Sequence, residues 1–195
     1  EVVVVGRRGV AQSAFTVPEF AGLLETPGVD VTLHRDEIML DTATAALAEA
    51  DHLPHAVAQK LRLLRRVDGA KANDHKRIVL RYLLSPTRVL GDTQLTGVEF
   101  DRMALETDVD GTVRSIATGE KEIVEAGLVQ TSIGYRGVAL PGVPFDERRG
   151  VIPNRDGRVL RAPDGDVFRG TYVTGWIKRG PSGFIGTNKS CAQGT

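Results

Sequence analysis

The chain has 195 residues with 25 basic and 25 acidic side chains, so its formal net charge is zero. This balance gives no global argument for binding to nucleic acid or to an anionic membrane, since either partner favours a basic excess. The single cysteine excludes an internal disulfide and is typical of a reducing compartment, so we expect a cytoplasmic protein. No apolar run approaches the ~20 residues that a membrane-spanning helix needs.

The first elements predict an α/β fold. Four consecutive valines at positions 2–5 indicate a strand buried on both faces of a parallel sheet. Because there is no initiator Met and a native terminus rarely lies inside such a strand, we expect a piece of a longer chain. Thr16 and Glu19 have the spacing of a capping box, and a second strand is predicted over Val29–Leu33. Strand–helix–strand order favours parallel pairing.

The middle of the chain changes its period. Helices are predicted over residues 42–50 and 55–67. The β-rich runs at 77–84, 97–105 and 112–117 then predict an antiparallel excursion from the α/β domain. Residues 128–133 predict one more buried strand. Residues 137–170 are rich in turn signals and carry little periodic structure, which indicates a crossing between domains or a functional surface.

Residues 171–188, TYVTGWIKRGPSGFIGTN, predict a short strand, a glycine turn and the start of a helix. Pro181 suits a first helical position, and Gly183 lets a ligand approach the backbone closely. The N–H groups at such a helix start favour an anion or a dipole. Gly175 and Gly180 have the spacing of a phosphate loop, but Pro181 stands where that motif requires lysine, so we reject it.

Arg7 and Arg8 follow the first strand directly. In dinucleotide-binding α/β units, an acid in this region accepts from the ribose 2′-OH of NAD, whereas arginine suits the 2′-phosphate of NADP. Two charge-assisted hydrogen bonds, at roughly 1.5–3 kcal/mol each, would favour NADP(H) by roughly two to four orders of magnitude. The alternative interpretation is a solvated basic turn.

The other candidates also have two interpretations each. Glu19 is at least the second half of the capping box, and Trp176 either packs in a core or stacks on a planar ligand. One helix face is basic, and it is either solvated or docks an acidic partner by electrostatic steering; its residues are Lys60, Arg62, Arg65 and Arg66. Cys191 is expected to be inert. The four histidines lack the spacing of metal ligands, and no nucleophile–base constellation is evident, so we predict neither a metal site nor a catalytic residue.

Several motifs occur together and in order along the chain. They are GRRG at 6–9, AFTxxE at 14–19, SIGY at 132–135, PFD at 144–146, GVIPN at 150–154 and GWIKRGPSG at 175–183. As a set they resemble the adrenodoxin reductase family, the ferredoxin–NADP⁺ reductases of adrenodoxin reductase type, and most of all its actinobacterial NADPH–ferredoxin reductases. The resemblance extends from end to end of the chain.

The resemblance implies a flavoprotein in which an NADP-binding domain is inserted into an FAD-binding domain. Hydride passes from NADPH to FAD, and single electrons pass on to a ferredoxin-type iron–sulfur protein, which the basic helix face would dock. Residues 1–140 would be an incomplete Rossmann-like NADP-binding domain that lacks its first strand and glycine turn. Residues 141–195 would be the C-terminal portion of the FAD-binding domain.

The same resemblance assigns the cofactor contacts. Arg7 and Arg8 would hold the 2′-phosphate of NADP, and Glu19 would contact the adenosine half. Trp176 would lie against FAD. Three residues would present their backbone to the flavin, and they are Gly183, Phe184 and Ile185; Gly183 would also lie near the nicotinamide.

Two other functions stay open at this point. The chain as given could be a nucleotide-binding domain without activity, since half of each cofactor site would be absent. Alternatively it could be a reductase subunit of glutamate-synthase type. Such subunits feed their own iron–sulfur clusters, and a chain with one cysteine offers no set of cluster ligands.

Overall fold

The computed structural model describes residues 1–67, 76–182 and 185–195. The chain divides into two compact units, Glu1–Val129 and Gln130–Thr195. The first contains a parallel sheet with helices and an antiparallel sheet, and the second contains a small antiparallel sheet with helices. This confirms the predicted α/β class with an antiparallel excursion.

The parallel sheet of the first unit has three strands: β1 (Val2–Gly6), β2 (Val29–Leu33) and β3 (Lys76–Tyr82). β3 lies between the other two and is parallel to both. The prediction that β1 is buried on both faces is wrong, because Val2 and Val4 are 59% and 50% exposed. β1 is an edge strand of the described sheet, and the core beneath the helices centres on β2 and β3.

Three helices accompany this sheet: α1 (Val17–Leu24), α2 (Thr42–Glu49) and α3 (His55–Val67). The predicted capping box starts α1, and Asp41 caps α2 through the Thr44 N–H. Leu61 and Leu64 of α3 are buried in the same cluster as Phe20 of α1, together with apolar residues of β2 and β3. Helices α1 and α3 therefore shield one face of the parallel sheet from water, which is the main stabilising effect in such a layer.

The antiparallel sheet has the order β4 (Leu84–Gly91), β5 (Leu95–Thr107) and β6 (Val113–Glu125). The predicted run 77–84 does not belong to it, because nearly all of that run is the central parallel strand β3. The chain changes direction at Leu83, whose φ of +58° places it in the left-handed region. Leu84 is fully buried beside Val98, and Val5 of β1 packs against the same cluster.

A buried ionic network joins the two sheets of the first unit. Arg81 of β3 is 6% exposed, and its Nε donates to Oε1 of the fully buried Glu37 at 2.8 Å. Its Nη2 forms ion pairs with Glu37 at 2.6 Å and with Glu122 of β6 at 2.7 Å. Arg102 of β5 pairs with the second oxygen of Glu122 at 2.7 Å. The other Glu37 oxygen accepts from the Tyr82 N–H at 2.7 Å, so the buried charge is paired and hydrogen-bonded.

The second unit has three short antiparallel strands, β7 (Asn154–Arg155), β8 (Arg158–Leu160) and β9 (Val167–Tyr172). Two helices follow, α4 (Trp176–Arg179) and α5 (Ile185–Gln193). Ile152, Val159 and Val173 form its core. The region 137–170 is thus more regular than its turn signals predicted.

Two further predictions are wrong. Residues 128–133 form no strand, and the side chains of Leu128 and Ile133 are 75% and 90% exposed. An apolar run needs a neighbouring strand to pair with, and no described strand pairs with this one. Pro181 is not the first residue of a helix, since α5 begins only at Ile185. Among the described residues, no helix is long and apolar enough to cross a membrane.

Replacing Arg81 by methionine should destabilise the first unit, because Glu37 and Glu122 would stay close together without their shared cation. Removing one partner of a buried ionic group costs about 3–5 kcal/mol. Amide hydrogen exchange along β3 measures the change. The control is Arg88→Met, whose side chain is 66% exposed and pairs with Glu99, with an expected cost of about 0–1 kcal/mol. Equal effects of the two substitutions would contradict a stabilising network.

Candidate functional site

The two arginines predicted to bind a phosphate lie in residues 6–9, which we name the arginine turn. It follows the carboxyl end of β1, the side of an open α/β sheet where ligands bind. Arg7 and Arg8 are both exposed, and neither guanidinium has an ion pair or hydrogen bond with any described residue. Two uncompensated cations on one short turn can hold a doubly charged anion by charge-assisted hydrogen bonds.

The backbone carbonyls of the arginine turn accept hydrogen bonds from other parts of the first unit, whereas the guanidiniums of Arg7 and Arg8 have no described partner. The Arg7 carbonyl accepts from the Ser115 hydroxyl at 2.9 Å. The Arg8 carbonyl accepts from the Leu83 N–H at 3.4 Å, and the Gly9 carbonyl from the Gln12 N–H at 3.1 Å. The turn therefore has a defined position on the antiparallel sheet.

Close packing also explains the glycine that opens the turn. A Cβ atom at Gly6 would lie 3.3 Å from the ring of Tyr82, its partner in β3. The Tyr82 hydroxyl accepts from the Ser13 hydroxyl at 3.2 Å, and burial raises the pKa of this phenol. Tyr82 thus stays neutral and forms a wall beside the turn.

Glu19 lies in the first turn of α1 and is exposed. Its Oε2 accepts from the Thr16 N–H at 2.8 Å, while the Thr16 hydroxyl accepts from the Glu19 N–H at 3.4 Å. The hydrogen bond from the Thr16 backbone, followed by that with its side chain, lowers the pKa of Glu19. The capping function is confirmed, and the predicted contact with adenosine stays a prediction.

The basic face of α3 is divided by the structure. Arg62, Arg65 and Arg66 are exposed, as expected for a docking surface. Lys60 is not part of that surface, because its Nζ donates to the Ser13 carbonyl and lies 5.2 Å from the centroid of the Phe15 ring. Burial lowers the pKa of Lys60. The sequence pattern grouped four cations that have different environments.

A shallow concavity of about 370 Å³ lies on the parallel sheet, away from the arginine turn. Two basic side chains line it, but Arg81 is already paired with Glu37 and Glu122, and Arg77 with Glu1. The rest of its wall is formed by apolar residues together with Glu1, Thr32 and His34. Because its cations are compensated, this cavity is a weaker anion site than the arginine turn.

In the second unit, Trp176 opens α4 and is 41% exposed. It is not a core residue, and its only described ring neighbour is Tyr135, with centroids 5.7 Å apart and planes tilted by 31°. The preceding Gly175 has a φ of +74° and a ψ of −150°, a conformation that a side chain would strain. Trp176 therefore offers an accessible aromatic surface.

Arg179 forms hydrogen bonds across the turn that follows α4. Its Nη2 donates to Asn188 of α5 at 2.5 Å, and its Nη1 contacts the hydroxyl and carbonyl of Ser182. Of the residues predicted to face the flavin, Gly183 and Phe184 lie outside the described residues. Ile185 is the first residue of α5. The predicted role of these three residues stays a prediction.

Cys191 has surroundings that the sequence did not suggest. Its sulfur accepts from the Gly175 N–H at 3.3 Å and lies 3.7 Å from the Thr174 hydroxyl. The Gly175 hydrogen bond and, to a smaller extent, Arg179 and Lys178 lower the pKa of the Cys191 thiol. Within the described ranges, no group of three His, Cys, Asp or Glu residues could hold a metal ion.

No family model matches the chain. Over 196 residues the chain is 43% identical to the NADPH–ferredoxin reductase FprA of Mycobacterium tuberculosis. This alignment covers 100% of the chain and 41% of FprA. The chain is 45% identical over 199 residues to a probable ferredoxin/ferredoxin–NADP reductase of Mycobacterium leprae. This alignment covers 100% of the chain and 32% of the relative. The chain is 30% identical over 207 residues to the mitochondrial NADPH:adrenodoxin oxidoreductase of Arabidopsis thaliana. This alignment covers 100% of the chain and 42% of the relative.

The structural comparison agrees with the sequence comparison. The structure of Mycobacterium tuberculosis FprA in complex with NADPH matches with a TM-score of 0.84 at 41% identity, over 99% of this chain and 40% of that one. The chain thus spans between about a third and two-fifths of the length of the relatives that it matches. The resemblance inferred from the motifs is confirmed.

Replacing Thr16 by alanine should weaken the start of α1 and raise the pKa of Glu19 toward its ordinary value of 4.5. A lowered pKa in the folded state means that the ionised Glu19 stabilises the fold above pH 4.5. That contribution is lost as the pH falls through the folded pKa. NMR titration of Glu19 measures the change, and amide exchange in the first turn should become about fivefold faster. With Thr26→Ala as the control, an unchanged Glu19 pKa in Thr16→Ala would contradict the reciprocal cap.

Proposed function

We propose that this chain, a homologue along its full length of the ferredoxin–NADP reductases of adrenodoxin reductase type, binds NADP(H) within an NADPH–ferredoxin reductase. The observation that carries the proposal is the arginine turn, with two exposed guanidiniums that have no described partner at the carboxyl end of a parallel strand. We assign Arg7 and Arg8 to the 2′-phosphate of the nucleotide.

The charge of the turn suits this ligand. A 2′-phosphate is the group that distinguishes NADP from NAD, and a guanidinium matches its oxygens with parallel N–H donors. Arg7 and Arg8 spend no free energy on breaking an internal ion pair when the phosphate arrives, because the described residues give them none. The binding free energy of the phosphate is therefore available for selecting NADP over NAD.

Glu19 is proposed to contact the adenosine half of the nucleotide. Its Oε2 is held by the Thr16 N–H, so the carboxylate has a fixed position at the start of α1. A carboxylate accepts hydrogen bonds only, so it would bind hydroxyl or amino donors and repel the phosphate. With Glu19 as a hydrogen-bond acceptor and Arg7 and Arg8 as cations, the site would bind the adenosine half of the nucleotide in one orientation.

The second unit is proposed to contribute to an FAD site. The exposed face of Trp176 fits a planar ring system, and no described atom beyond the neighbouring residues lies within 4 Å of the point that a Cβ atom at Gly175 would occupy. FAD, when bound, supplies the step between two-electron chemistry with NADPH and one-electron chemistry with an iron–sulfur protein. Gly183, Phe184 and Ile185 remain proposed backbone contacts. In domain terms, we propose residues 1–140 for NADP and 141–195 for FAD.

The partner is proposed to be a ferredoxin-type iron–sulfur protein. Arg62, Arg65 and Arg66 are exposed on α3, and a cationic surface steers an acidic protein toward it. The low cysteine content supports a reducing, cytoplasmic location. A glutamate-synthase-type subunit is disfavoured, because a single cysteine provides no set of cluster ligands.

Replacing Arg7 by alanine should weaken the binding of NADP⁺ about 10- to 100-fold, since one charge-assisted hydrogen bond contributes roughly 1.5–3 kcal/mol. The affinity for NAD⁺ should not change, because NAD⁺ has no 2′-phosphate. Calorimetric titration of the full-length protein measures both affinities. Arg155→Ala, an exposed arginine in β7, serves as the control of equal charge.

The same titration separates the candidate functions. A preference for NADP⁺ that survives Arg7→Ala and Arg8→Ala would contradict the assigned site. Binding of NADP⁺ without FAD uptake or NADPH oxidation by the full-length protein would favour the nucleotide-binding domain without activity.

Arg62→Glu should lower kcat/KM for ferredoxin reduction several-fold at low ionic strength, with a smaller effect at high salt, because steering is screened. Reduction of ferricyanide by NADPH, which needs no docked protein, should be unchanged. The matched control is Arg88→Glu, an exposed arginine of β4. Equal losses in the two variants would show that the effect comes from total charge and not from the α3 surface.

A further inference from the structure

We propose that Ser115, in strand β6 of the antiparallel sheet, is a positioning residue for the arginine turn. It would make the preference for NADP(H) depend on a segment 108 residues away in the chain from Arg7. The inference rests on the proposed function, because it assigns to Ser115 the role of holding the backbone from which Arg7 reaches the 2′-phosphate.

The contact that carries the proposal is a single hydrogen bond. The Ser115 hydroxyl donates to the Arg7 carbonyl at 2.9 Å, a good distance for such a bond. Ser115 lies directly opposite Leu105 of β5 in the register of the sheet, so the two side chains stand on the same face. A Cβ atom at Gly9 would lie 2.9 Å from the Leu105 methyl group. One cross-strand pair thus contacts both ends of the segment that carries the two arginines.

A second support comes from the chain reversal after β3. Leu83 has a φ of +58°, an uncommon conformation for a residue with a side chain. Its N–H donates to the Arg8 carbonyl, and its carbonyl accepts from the Met103 N–H at 2.8 Å. The carbonyls of Arg7 and Arg8 are therefore each held by the antiparallel sheet or by the reversal that leads into it. The left-handed conformation of Leu83 persists because the surrounding hydrogen bonds determine it.

Preorganisation gives this contact its effect on affinity. An arginine side chain loses rotamer freedom on binding a phosphate, and a mobile backbone would add a further ordering cost. With the Arg7 carbonyl held, the guanidinium starts from one backbone position. The loss of one neutral hydrogen bond is expected to weaken phosphate binding about three- to tenfold.

The test compares two nucleotides that differ in the relevant phosphate, in the full-length protein. Ser115→Ala should raise the Kd of 2′,5′-ADP about three- to tenfold and leave that of 5′-AMP unchanged. Ser115→Thr, which keeps the hydroxyl, should bind 2′,5′-ADP as tightly as the unchanged protein. Thr118→Ala is the matched control, because Thr118 of the same strand donates to the Arg102 carbonyl at 3.0 Å and not to the turn.

A double-mutant cycle then shows whether Ser115 acts through Arg7. In an Arg7→Ala background, Ser115→Ala should have a smaller effect on the Kd of 2′,5′-ADP, because only Arg8 then remains on the turn to bind the 2′-phosphate. The inference is overturned if Ser115→Ala has the same effect in both backgrounds, if it weakens 5′-AMP equally, or if it changes neither Kd. A loss of affinity in Arg7→Ala with none in Ser115→Ala would refute only this inference. No loss in Arg7→Ala would refute the proposed 2′-phosphate site itself.

Discussion

The buried charge of Arg81 is the interaction on which the first unit depends. The Arg81 side chain extends from the central strand β3 of the parallel sheet. It forms ion pairs with Glu37, which lies between β2 and α2, and with Glu122 of β6. Burial opposes its charge, but the hydrogen bonds and charges of the two carboxylates raise the pKa of Arg81. A buried ion pair is often no more stabilising than a well-packed apolar group, so its value here lies in geometry. The ion pair between Arg81 and Glu122, at 2.7 Å, links the antiparallel sheet to the central strand of the parallel sheet.

The antiparallel sheet also determines the surroundings of the arginine turn. β6, which carries Glu122, also carries Ser115, and the Ser115 hydroxyl holds the Arg7 carbonyl. The parallel sheet supplies the turn at the end of β1, while the antiparallel sheet supplies the support. Arg7 and Arg8, which have no partner among the described residues, are exposed on a backbone that is held in place. This combination of free charge and fixed position is suited to recognition of a phosphate, since affinity depends on both.

Local patterns in the sequence were sufficient for much of the fold. The capping box at Thr16, strand β2 and helix α3 follow from residues close together in the chain, and all three are confirmed. The supports of the arginine turn could not be found this way, because Ser115 is 108 residues from Arg7 and lies in an ordinary exposed strand pattern. The basic pattern of α3 likewise gave no sign that Lys60 turns to the Ser13 carbonyl. Residues 128–133 were misjudged for a related reason, since hydrophobicity indicates a strand but pairing decides whether one forms.

The central claim is that the arginine turn holds the 2′-phosphate of NADP, and a crystal structure with bound 2′,5′-ADP tests it most directly. The account predicts the 2′-phosphate within hydrogen-bonding distance of the guanidiniums of both Arg7 and Arg8, with the bond from Ser115 to the Arg7 carbonyl retained. The 2′-phosphate bound elsewhere, with both arginines still free in solvent, would contradict the account.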